Sequence, residues 1–256
     1  MALVIRSCRC DGQWIRGRGA DLRRPASVQA PTAAQYAGAM SIHYLPAISI
    51  EGHVLSSPGS PDHPMRLATR RAAGLDEGGW KGDLRDEVRA YFDGMADEWH
   101  TRTSPERSAI VSDVLTRGLA ATGVPTGLAV EVGSGIGAYS AMLSERFDAV
   151  VAIDLSLAML RLAPARPAFR VQADGSALPL RDGSAAVMVL INAFLFPAEV
   201  ARVLVPDGVI AWVNSSGERT PIYLSAEDLL AALPGTWSGA ASRAGEGHWC
   251  VLRRGV

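Results

Sequence analysis

Residues 128–143 pass through three kinds of sequence without a break. Leu128-Ala129-Val130-Glu131-Val132 is an apolar strand, Gly133-Ser134-Gly135-Ile136-Gly137 a glycine turn, and Tyr139-Ser140-Ala141-Met142-Leu143 the start of a helix. A strand that runs straight into a helix belongs to a crossover unit, because parallel strands cannot be joined by a tight hairpin. The rest of the chain keeps this alternation. Strands are expected at 128–132, 149–153, 168–172, 186–191 and 208–213, with a final pair near 238–243 and 248–253. Helices are expected near 138–146, 156–163, 197–204 and 225–232. Ala149-Val150-Val151-Ala152-Ile153 and Val187-Met188-Val189-Leu190-Ile191 are continuous apolar runs, the pattern of strands covered on both faces. The fold class this predicts is α/β: a Rossmann-like, doubly wound, mostly parallel sheet.

Upstream of this region the signals are local. Residues 1–40 scatter Arg6, Arg9, Arg16, Arg18, Arg23 and Arg24 among small residues with no period. They read as a disordered extension or an over-early start, with Met40 a plausible first residue; an arginine-rich arm for an acidic partner is the sharper alternative. Residues 41–103 read as a loop-rich, helical cap. A short helix is expected from Met65 to Ala73, ended by Gly74. A longer one, Leu84 to Thr101, is expected with Asp83 as its cap. Ser104 followed by Pro105 is a cap-and-start signal for a further helix, stopped by Gly123 and Pro125. Residues 104–256 form the expected principal domain.

Composition excludes several functions. A net charge of −1 gives no electrostatic basis for nucleic acid or an anionic membrane. No apolar run reaches the ~18 residues of a membrane span, and Arg6 interrupts the apolar start too early for a signal peptide. The cysteines, Cys8, Cys10 and Cys250, form neither a disulfide framework nor a metal cluster. A cytoplasmic location and no metal are therefore expected.

Four residues stand where strands end at their carboxyl tips, the place where open parallel sheets bind ligands. Glu131 lies in the first strand, Asp154 ends the second, Asp174 follows the third and Asn192 ends the fourth. The glycine turn allows close backbone approach and points amides at a ligand. A pyrophosphate there would meet the like charge of Glu131, whereas a cationic amino group would be stabilised. Cofactors with an amino group and a nucleoside, S-adenosylmethionine and its relatives, satisfy this. Asp154, about 20 residues beyond the turn, is placed to accept from ribose hydroxyls; otherwise it is a turn residue before the helix capped by Ser156. Asp174 suits an adenine amino group, or a local Asx turn. Asn192 is either a ligand contact or a strand-end residue alone.

Taken together, Val130-Glu131-Val132-Gly133-Ser134-Gly135-Ile136-Gly137, Val151-Ala152-Ile153-Asp154-Leu155-Ser156, Ala173-Asp174-Gly175-Ser176-Ala177-Leu178-Pro179-Leu180 and Glu199 to Gly208 resemble the successive motifs of class I S-adenosylmethionine-dependent methyltransferases. The resemblance covers roughly residues 85–256 and is closest to the small-molecule type. It implies a seven-stranded sheet with a reversed last hairpin, and an N-terminal helical lid over the cofactor. It also implies that Glu131 with Gly133, Ser134, Gly135 and Gly137 holds the methionyl end, Asp154 the ribose, and Asp174 with Gly175 and Ser176 the adenine, with Leu155 packed on the ring. Pro206-Asp207-Gly208 departs from the usual glycine pair. No Asn-Pro-Pro-Tyr motif follows the fourth strand, which argues against the branch that methylates adenine and glutamine amides.

The function expected is methyl transfer to an unidentified small-molecule acceptor by in-line displacement. His100 is the first candidate for a base, with a surface or lid-positioning role as its alternative. Tyr91, Trp99 and Tyr223 are candidate acceptor contacts, and residues 218–223 a candidate acceptor loop. Two other classes compete. One is an NAD(P)-dependent oxidoreductase, which Glu131 opposes; Lys81, the only lysine, precedes the motif and so cannot complete a Tyr-x-x-x-Lys dyad after it. The other is a non-catalytic protein that binds S-adenosylmethionine. Neither acceptor nor oligomeric state is legible in the sequence.

Overall fold

The computed structural model describes residues 40–50, 59–123 and 125–255. The expectations for residues 1–39, with Cys8, Cys10 and the arginine arm, lie outside these. The elements in chain order are β1 Ser41–Tyr44, α1 Pro64–Ala72, α2 Gly82–Met95, α3 Pro105–Asp113, α4 Leu119–Thr122, β2 Leu128–Val132, α5 Ser140–Ser144, β3 Ala149–Asp154, α6 Leu157–Leu162, β4 Phe169–Gln172, β5 Ala185–Ile191, α7 Pro197–Val203, β6 Leu204–Asn214, α8 Ala226–Ala232, β7 Trp237–Ala244 and β8 Gly247–Arg254.

Among the described residues, eight strands form one sheet in the order β1-β7-β8-β6-β5-β2-β3-β4. Every pairing is parallel except those of β8 with β6 and β7, so the expected reversed strand is β8. The chain winds outward from β2 through β3 to β4, then crosses back to β5 on the other side of β2. That reversal leaves a crevice above the carboxyl tips of β2 and β5. Glu131 sits in register between Ala152 of β3 and Val189 of β5.

The two faces of the sheet carry separate cores. One gathers Val130, Met188, Leu190, Trp212 and Trp237 beneath α7 and α8. The other gathers Ile110, Val114, Leu119, Val187, Val189 and Trp249 beneath α3 and its continuation. Asp113 ties that helix to the sheet: it accepts from Arg117 at 2.6 and 2.8 Å and from the indole N–H of Trp249 at 2.8 Å.

Three expectations are corrected. Among the described residues the sheet has eight strands, not seven: β1 adds an edge strand parallel to β7. The helix expected at 84–101 begins earlier, after Lys81, and turns into a 3₁₀ segment at Ala96–Arg102. Asp83 is not its cap but accepts only from the neighbouring Leu84 amide, at 2.9 Å. Ser104 does cap α3, accepting from Arg107 N, and His63, just before Pro64, caps α1.

Candidate active site

The glycine turn is built by close approach. Gly133 has φ of 71°, and a Cβ there would lie 2.6 Å from that of Ala193 at the tip of β5. Gly135, at φ 55°, lies under the Trp99 indole, which a Cβ would meet at 3.4 Å. Bare backbone is therefore exposed to the crevice where side chains would fill it. Asp154 braces the turn: its carboxylate accepts from Gly135 N at 2.7 Å and Ser156 N at 2.8 Å.

One cavity lies over these strand tips, at the place where open parallel sheets take their ligands. Glu131, Gly133, Ser134, Gly135, Asp154, Leu155, Asp174, Gly175 and Asn192 all line it. Gly137 and Ser176 do not. Gly137 closes the turn through its amide to Ser134 O at 2.9 Å, and Ser176 N donates to Asp174 Oδ1 at 2.8 Å. Asn192 is held at φ 50° by a reciprocal pair with Ser215, donating to its hydroxyl and accepting from its amide, both at 2.8 Å.

The electrostatics of the floor are unusual. Glu131 is 2 % exposed, and among the described residues its hydrogen-bond donor is the Ser140 hydroxyl rather than a cation. Burial pushes its carboxyl up to about 7; Ser140 pulls it down, and the charge of Asp154 pushes it further up. Burial also raises Asp154, against the amides of Ser156 and Gly135. The hydroxyl of Ser134 is buried without a protein partner among the described residues. A buried anion without a countercharge and an unpartnered hydroxyl beside bare backbone make a cradle for a cation-bearing ligand.

Residues 130–212 match the methyltransferase-domain family. That stretch, from within β2 to within β6, is similar to a methyltransferase domain. The residues present fit S-adenosyl-L-methionine: a cationic group would meet Glu131, and a nucleoside the carboxylates further along the crevice. The fold is also that of solved structures. A DhpI structure in complex with S-adenosylhomocysteine aligns with 69% of this chain and 99% of its own (20% identity, TM-score 0.56). A SAM-dependent methyltransferase from Aquifex aeolicus aligns with 62% of this chain and 97% of its own (17% identity, TM-score 0.51). The YcgJ protein of Bacillus subtilis aligns over less: 35% of this chain and 44% of its own length (22% identity, TM-score 0.33). No curated protein sequence matches the chain.

The roof of the cavity comes from the N-terminal segment. Trp80, Val88, Phe92, Trp99, Arg102, Thr103 and Arg107 line it, opposite Phe194, Phe196 and Ile222 from the sheet side. The 3₁₀ segment changes the facing of its residues relative to α2 and brings Trp99 over the glycine turn. Of the aromatic candidates from sequence, Trp99 lines the cavity. Tyr91 does not, being 45 % exposed on α2, and Tyr223 faces a second cavity near β7 and β8. His100 is exposed, does not line the cavity, and has Nδ1 2.9 Å from the carbonyl of Asp97. Sequence reasoning missed Trp80, Phe194, Phe196, Arg102 and Arg107. The glycine pair Gly78-Gly79 before Trp80 was the available signal for the first; Phe194 and Phe196 lie in a loop without period, and nothing in the sequence separates Arg102 and Arg107 from a solvated face. No cluster of potential metal ligands occurs among the described residues, nor any helix long and apolar enough to cross a membrane.

Proposed function

We propose that this chain is an S-adenosylmethionine-dependent methyltransferase that acts on a small-molecule acceptor bringing its own nucleophile. The observation supporting this is the lining of the roofed cavity, which among the described residues contains carboxylates and two arginines but no histidine, lysine or cysteine. When bound, S-adenosylmethionine supplies a methyl carbon activated for in-line displacement by an acceptor lone pair, the electrons of the broken bond staying on sulfur. Glu131 holds the cationic end, with Ser134 and the turn amides around it. Asp154 accepts from the ribose hydroxyls, and Asp174 from the adenine amino group. Arg102 and Arg107 are the cations of the lining and suit a carboxylate, either the methionyl one or the acceptor's.

Tyr139 also lines the cavity, but burial raises the pKa of its hydroxyl, so it is a poor base near neutrality. The protein's contribution is orientation and exclusion of water, worth roughly 7–11 kcal/mol in well-aligned reactions. An amine that is neutral at working pH, or an acidic hydroxyl, satisfies this; a simple alcohol does not. The roof formed by Phe92 and Trp99 favours a molecule that fits wholly inside over a polymer. The test is a screen of metabolite fractions with methyl-labelled donor. Label should enter small molecules, with the rate following ionisation of the acceptor rather than of His100, and His100→Ala should retain turnover. Label appearing only in protein or RNA would refute the acceptor class.

A further inference from the structure

Trp80 holds the carboxylate that this reading assigns to adenine. Its indole N–H donates to both oxygens of Asp174, at 3.1 and 3.2 Å. The ring is flanked by Phe194 and Phe196, each with its centroid 5.2 Å away, tilted at 48° and edge-on at 73°. All four residues line the cavity. Adenine is a flat bicyclic ring with an amino donor on its rim; the indole is a flat bicyclic ring with one donor on its rim. The position is tightly defined: a Cβ on Gly175 would lie 2.7 Å from the Phe196 ring, so that glycine leaves room for the aromatic wall.

The chain on either side of Trp80 permits movement. Gly78 and Gly79, at φ 102° and 60°, precede it, and a Cβ on Gly79 would meet nothing within 4 Å. Lys81 follows as the N-cap of α2 without a side-chain capping bond. Trp80 is thus a single bulky residue between a glycine pair and a helix start, free to swing without moving the helix.

We infer that Trp80 is a built-in competitor for the adenine subsite, occupying Asp174 and the Phe194/Phe196 wall until the nucleoside displaces it. The inference rests on the assignment of Asp174 to adenine. Its consequence is a conformational tax: if the open form is about one-tenth populated, apparent affinity is about tenfold weaker than intrinsic affinity. Loss of one aromatic residue from the cavity should then tighten binding, the reverse of the effect of removing a wall.

Calorimetric titration of the full chain with S-adenosylhomocysteine and, separately, adenosine distinguishes the readings. Trp80→Ala should bind both ligands about tenfold more tightly than the wild type. Trp80→Phe, which keeps a ring but loses the N–H donor, should bind a few-fold more tightly and also serves if the alanine variant does not fold. Equal or weaker binding by the folded variants, with the wild type binding normally, makes Trp80 a fixed wall and overturns the inference alone. Failure of wild type and variants alike to bind either ligand overturns the inference together with the assignment of the site.

Discussion

Replacing Glu131 by Gln separates the cost of the buried carboxylate from its use. The group is shifted from 4.5 to about 7, and each unit corresponds to 1.36 kcal/mol, so full ionisation costs the free protein about 3 kcal/mol. The sign follows from the direction of the shift. A carboxyl raised on folding is protonated in both states below about pH 4.5; as pH climbs towards 7 the unfolded chain releases its proton first, and stability falls; above 7 the loss is complete. Gln keeps an oxygen for the Ser140 hydroxyl but no charge. The ligand-free Glu131→Gln protein should match the wild type near pH 4.5 and exceed it by about 3 kcal/mol at pH 8, roughly 6–12 °C in melting temperature for a chain of this size.

Binding should move the opposite way. A cationic donor favours ionised Glu131, so wild-type affinity for S-adenosylmethionine should rise as pH goes from 5.5 to 7, approaching tenfold per unit. The variant should bind more weakly and lose that slope. Scanning fluorimetry across pH and calorimetry at two pH values measure both effects. A melting difference that does not vary with pH, or a wild-type affinity flat between pH 5.5 and 7, refutes the reasoning.

Further outcomes can be measured on the same protein. Asp154→Asn should raise the dissociation constant for S-adenosylhomocysteine about 10- to 100-fold, the value of a hydrogen bond to a charged acceptor, as read by calorimetry. Gly133→Ala combines a left-handed backbone with a 2.6 Å approach to Ala193 and should cost roughly 2–3 kcal/mol in urea unfolding; an unchanged midpoint would show that the turn relaxes. Trp249→Phe removes an indole donor from the buried Asp113 and should cost about 1–3 kcal/mol without altering ligand affinity.

The strands were legible because burial on both faces leaves continuous apolar runs, and β2, β3 and β5 lie within a residue or so of their expected limits. β1 was not. Its four residues, Ser41-Ile42-His43-Tyr44, are largely exposed and pair on one side only, so they carry no burial pattern. Glu131, Asp154, Asp174 and Asn192 could be singled out because strand ends are the places where polar residues interrupt apolar runs. The roof could not. Trp80 follows a glycine turn, and helical period marked Tyr91 and Trp99 alike; only the shift to a 3₁₀ segment at Ala96 decides that Trp99 faces the crevice. Tyr223 was sought at the first cavity and stands at the second because its loop packs under α1, where Arg66 lies over its ring at 4.9 Å.

The most direct test of the central claim is a crystal structure of the full chain with S-adenosylhomocysteine. The nucleoside should lie across the tips of β2, β3 and β4, with its amino group against Glu131, its ribose hydroxyls on Asp154 and its adenine on Asp174, and with Trp80 displaced. Ligand density elsewhere, or a ligand in this cavity that touches neither Glu131 nor Asp154, would contradict the account.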